Sequence, residues 1–79
     1  MANAPRGQVI AKDDGKGNLT LQLPTVYANR YYGVKQKYIS FGAKNTPENM
    51  IEAMRAALKL QSDIESDKFN PLKTVKYKH

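Results

Sequence analysis

The sequence predicts an α+β domain in which a three-stranded antiparallel β-sheet packs against one C-terminal α-helix. Three observations carry that expectation. Leu19-Thr20-Leu21-Gln22-Leu23 alternates strictly between apolar and polar residues, the period of a half-buried strand. Two more short apolar-rich runs flank it, one of them across a Gly-rich turn. Downstream of Thr46-Pro47-Glu48, apolar residues recur at three- and four-residue spacing, the period of an amphipathic helix.

Residues 1–6 hold no apolar run and are expected to be disordered, with the folded domain over 7–66. The first strand, about 8–12, is Gln8-Val9-Ile10-Ala11-Lys12. It stops at Asp13-Asp14-Gly15-Lys16-Gly17-Asn18, whose glycines and Asp/Asn residues suit a hairpin connection. The second strand, about 19–24, closes on Pro24, which cannot donate to a sheet ladder. Residues 25–36 read as a long loop. The third strand, about 36–41, carries Ile39 and Phe41 in phase and ends at Gly42. The helix, about 47–66, has Thr46 as N-cap, proline at its first position and Glu48 in the first turn, where the helix dipole favours an acid. Its buried stripe reads as Met50, Ile51, Met54, Ala57, Leu58, Gln61 and Ile64, with Leu60 off the stripe; Arg55, Lys59, Glu52 and Asp63 read as a solvated face. Residues 67–79 show neither period and read as a linker.

At 79 residues the chain offers one thin core. The absence of cysteine excludes disulfides and Cys-based zinc sites, and His79, the lone histidine, cannot build a metal site by itself; no metal and no cofactor are expected. Catalysis is not expected either. The serines have no base beside them in sequence, Asp13-Asp14 reads as turn chemistry, and Gly15-Lys16-Gly17 lacks the spacing of a phosphate loop. Nothing suggests a small-molecule substrate. No apolar run is long enough to span a bilayer, so a soluble cytoplasmic protein without membrane association is expected.

Charge is the informative quantity. Thirteen Lys+Arg against seven Asp+Glu give +6, which in so small a domain favours a polyanionic partner. Residues 1–45 hold seven basic and two acidic side chains (+5), whereas 46–66 hold two and four (−2). The basic half is also the sheet. If Val9, Ala11, Leu19, Leu21, Leu23, Ile39 and Phe41 face the helix, then Gln8, Ile10, Lys12, Thr20, Gln22, Tyr38 and Ser40 face away. Amide, hydroxyl and amine groups of this kind read base edges and phosphates, and a small twisted sheet can enter the DNA major groove. The 25–36 segment adds three tyrosines interleaved with Arg30 and Lys35, a mixture suited to gripping a sugar-phosphate backbone.

In their order along the chain, LTLQLP, KQKYISFG, NTPENM and KFNPLKTVKYK resemble the amino-terminal arm-type DNA-binding domains of phage and mobile-element integrases, the tyrosine recombinases. The resemblance covers about residues 6–78. It implies three antiparallel strands plus a helix, with the sheet in the major groove of arm-type sites on double-stranded DNA. It puts Thr20, Gln22, Tyr38 and Ser40 nearest the bases and Lys12, Arg30, Lys35 and Lys37 near phosphates. It also implies that the chain is a fragment ending before the family's core-binding and catalytic domains, that the full-length protein contacts other integrase subunits, and that Tyr77 is not a nucleophile. The chain departs from the family in its longer 24–36 segment and in Asn49, which stands where Glu or Gln would complete a capping box with Thr46. The alternative reading is a small basic protein-interaction module without DNA specificity.

Overall fold

The computed structural model describes residues 8–79, so the expectation for residues 1–6 lies outside the described part. The order is β1 (Ile10–Asp13), β2 (Asn18–Leu23), α1 (Thr25–Tyr32), β3 (Lys37–Lys44), α2 (Pro47–Glu65) and a closing 3₁₀ turn (Val75–Tyr77). The strands form one antiparallel sheet in the order β1-β2-β3, an α+β fold as expected. Its inward face buries Val9, Leu19, Leu21, Leu23, Ile39 and Phe41, six of the seven residues that the alternation assigned, while Ala11 is half-buried against them.

The β1–β2 turn is held by its own acids. Asp13 Oδ1 accepts from the Gly15 and Gly17 amides at 2.6 and 3.1 Å, and Asp14 Oδ1 from the Lys16 amide at 2.7 Å. Asn45 braces the turn from the far side, donating its side-chain amide to Asp13 Oδ2 at 2.9 Å and its backbone N–H to the Gly17 carbonyl at 2.8 Å. Both acids therefore do turn work. On β3 the ladder shifts: Asn18 pairs with Lys44 but Thr20 with Ser40, so residues 41–43 oppose Leu19 alone. Gly42 takes φ 81 in this bulge, which is why the strand continues past the glycine to Lys44.

Three expectations are corrected. The 25–36 segment is not a loop throughout, because its first eight residues form α1, ended by Gly33 at φ 68. Ala28 of α1 is fully buried, and Tyr31 meets Phe69 edge-on with ring centroids 4.8 Å apart. The helix α2 is also rotated from the expected stripe, of which Ala57 and Ile64 are buried and Met50 and Gln61 half-buried. It buries Ala53, Ala57, Leu60 and Ile64, while Ile51, Met54 and Leu58 are more than half exposed. Ala53 and Ala57 let the first half of the helix approach a sheet face already filled by leucines, and Leu60 and Ile64 complete the buried stripe in its second half. Thr46 does cap α2, accepting from the Asn49 amide at 3.1 Å, and the Asn49 side chain donates to the Lys44 carbonyl at 3.1 Å instead of closing a capping box.

The third correction concerns 67–79, which is not a linker but part of the core. Asp67 adopts φ 60 after α2. The Lys68 amide reaches back to the Asp63 carbonyl at 2.7 Å and the Asp67 amide to the Ile64 carbonyl at 3.2 Å, a Schellman ending that reverses the chain. Phe69 and Tyr77 then bury against the inner layer. The Tyr77 hydroxyl donates to Asp63 Oδ2 at 2.5 Å, Lys76 Nζ lies 3.3 Å from the same oxygen, and the His79 amide donates to the Phe41 carbonyl at 2.7 Å.

That anchor is pH-sensitive. The Tyr77 hydroxyl, aided by Lys76, holds the Asp63 carboxyl below its ordinary value, while burial and then Asp63 push the Tyr77 phenol above its own. A depressed carboxyl contributes stability above its unfolded pKa, lost as pH falls through the folded value; a raised phenol contributes stability below its unfolded pKa, lost as pH rises through the folded value. Tyr77→Phe should cost about 1–3 kcal/mol near neutral pH. Urea unfolding at acid, neutral and alkaline pH checks this, with the variant showing a flatter profile than the parent on both limbs.

Candidate nucleic-acid interface

The helices and the tail occupy the inner side of the sheet, leaving the outer face open. Strand register sets its layout in two rows. Ile10 is opposite Gln22, which is opposite Tyr38; Lys12 is opposite Thr20, which is opposite Ser40. The four residues expected nearest the bases, Thr20, Gln22, Tyr38 and Ser40, are thus brought together on β2 and β3. They are not equally free. The Thr20 hydroxyl donates to the Lys12 carbonyl at 2.9 Å, whereas Gln22 Nε2 donates to the Tyr38 hydroxyl at 3.3 Å and keeps its carbonyl oxygen available.

The cations divide. Lys12 lines a shallow depression with Thr20, Tyr38 and the turn residues Asp13 and Asp14. Lys35 lines another at the opposite end with Gln8, Ile10, Gln22 and Gln36. Lys37 does not join them: it pairs with Leu23 in the ladder, and its ammonium lies 4.6 Å from the Tyr32 ring centre. Arg30 sits on α1 with its guanidinium 5.6 Å from the Tyr27 ring centre. Two of the four expected phosphate residues, Lys12 and Lys35, therefore border the open face, and the other two stack on aromatic rings of α1.

Lys44 was missed by the sequence reading. It lines a third depression with Thr20, Ser40 and Gly42. The signal was the continued alternation 38, 40, 42, 44 across Gly42. Cations thus border the face at both ends, offset near the turn by the aspartates. Asp13 is held below the usual carboxylate range by the Asn45 side chain first and then by the Gly15 and Gly17 amides, and Asp14 by the Lys16 amide. Both remain anionic at neutral pH, which makes the Lys35 end the more attractive one for a phosphate.

Among the described residues, no group of three or more His, Asp or Glu side chains is arranged to hold a metal ion, and no helix is long and apolar enough to cross a membrane. No protein-family model, curated protein or solved structure matches the chain.

Proposed function

We propose that this domain binds double-stranded DNA in a sequence-specific way by laying the outer sheet face in the major groove. The observation that supports it is the open face itself, hydrogen-bonding side chains in two rows with Lys12, Lys35 and Lys44 at the borders. Three strands about 4.8 Å apart are roughly 10 Å across, and the major groove is about 12 Å wide. The +6 charge supplies attraction to any duplex, and the rows supply discrimination. Taken with the sequence resemblance, the domain is the arm-type-site-binding part of a phage-like or mobile-element integrase, a tyrosine recombinase of the cytoplasm. It serves site-specific recombination and DNA integration without catalysing a step itself.

Salt titration of duplex binding, followed by fluorescence anisotropy, tests the reading. Affinity should fall steeply with salt, by roughly 0.9 in log–log slope per neutralised phosphate, and Lys35→Ala should weaken binding and reduce the slope by about one unit. Lys37→Ala, with its ammonium on Tyr32, should change the slope less. Salt-indifferent binding, or none at low salt, overturns the proposal. That result would favour the second reading, a protein-interaction module, for which the exposed strip of Ile51, Met54 and Leu58 on α2 speaks.

A further inference from the structure

The row Ile10–Gln22–Tyr38 sets an apolar side chain, an amide and a phenol side by side across the sheet. Ile10 is 47% exposed and is the aliphatic member of the row, available for contact with an apolar group of a partner. Its register partner Gln22 is fixed from the other side, because one Nε2 hydrogen is directed at the Tyr38 hydroxyl. This leaves Gln22 a second N–H and its carbonyl oxygen for an outside partner, with an apolar side chain next to them.

Resting on the DNA-binding reading above, we propose that this row reads a single A·T base pair from the major groove. The Gln22 carbonyl oxygen accepts from adenine N6, the free Nε2 hydrogen donates to adenine N7, and Ile10 packs on the methyl group of the paired thymine. Tyr38 is a positioning residue that holds the amide in the orientation this needs. The other pairs fit worse. Guanine offers two acceptors, so the two-bond contact with a single purine is lost, and a G·C pair has no methyl group for Ile10. Arginine or lysine would suit guanine, and neither stands in this row.

The test uses the full chain and a randomised duplex library, selected at low salt, followed by affinity measurements on the duplex obtained. The parent should select an A·T pair at one position, where mismatching costs about 5- to 150-fold in affinity. Gln22→Ala should flatten the preference at that position alone, and Tyr38→Phe should relax it while leaving the thermal melt unchanged. Replacing that adenine by 7-deazaadenine should weaken the parent and leave Gln22→Ala unaffected, since both remove the same bond. Replacing the paired thymine by deoxyuridine should cost about threefold to fourfold in the parent and nothing in Ile10→Ala, a readout that a purely structural isoleucine would not move. If the library is bound and selected but every preference survives Gln22→Ala, or the Gln22-dependent pair is G·C, the row inference is overturned and DNA binding stands. If no duplex is retained, both fall.

Discussion

Leu60→Ala should lower the unfolding free energy by about 2–5 kcal/mol, the range for truncating a buried leucine that leaves a cavity behind. Leu60 is fully buried at the centre of the α2 stripe and meets the layer formed by Leu19, Leu21 and Leu23. Leu58→Ala and Met54→Ala remove side chains of similar size from positions more than half exposed, and each should cost less than about 1 kcal/mol. For a domain whose total stability is of the order of 5–10 kcal/mol, the first change threatens folding and the other two do not. Denaturant unfolding of the three variants decides which face of α2 is inside. Equal costs, or the reverse order, would return the helix to the stripe marked by its larger apolar residues.

Phe69→Ala should be comparably severe, about 3–5 kcal/mol. Its ring is 8% exposed and lies edge-on to Tyr31 and tilted against Tyr77, so it joins the tail to α1 and to the closing 3₁₀ turn. Its loss would release the tail as well as open a cavity, exposing the Tyr77 ring and freeing Asp63 from its hydroxyl partner. Thermal unfolding measures the cost, and backbone amide exchange at residues 70–79 shows whether the tail detaches. A variant that melts with the parent would make the tail the linker that its sequence suggested.

These two expectations rest on features that differed in legibility. The inner and outer sheet faces were readable because period-two alternation is built into an extended backbone and needs no knowledge of neighbours, as Leu19, Leu21 and Leu23 illustrate. The rotation of α2 was legible only in part: Ala57 and Ile64 stood on the expected stripe, but Ala53 carries little hydropathy and was outweighed by the larger Ile51, Met54 and Leu58, which placed Leu60 off the stripe. Helix α1 was hidden by Thr25, Val26, Tyr27, Tyr31 and Tyr32, residues of modest helix propensity that are held helical by burial of Ala28 and by the Tyr31–Phe69 contact. The tail was hidden because the reversal after α2 is made by Asp67 at positive φ, where a glycine would have announced it. In the candidate interface, the residues assigned by alternation fell together, and those assigned by charge did so only in part. The destinations of Arg30 and Lys37 depended on α1 and its tyrosine rings, and that of Lys44 on β3 running past Gly42.

In the proposed binding mode the open sheet face, not the helix, meets DNA. Mapping the backbone amide shifts of the isotope-labelled chain during titration with a mixed-sequence duplex at low salt tests it most directly. Perturbations are expected at Ile10, Lys12, Thr20, Gln22, Tyr38 and Ser40, extending to Lys35 and Lys44, with the outward strip of α2 unmoved. Shifts concentrated at Ile51, Met54 and Leu58 with a silent sheet would contradict it.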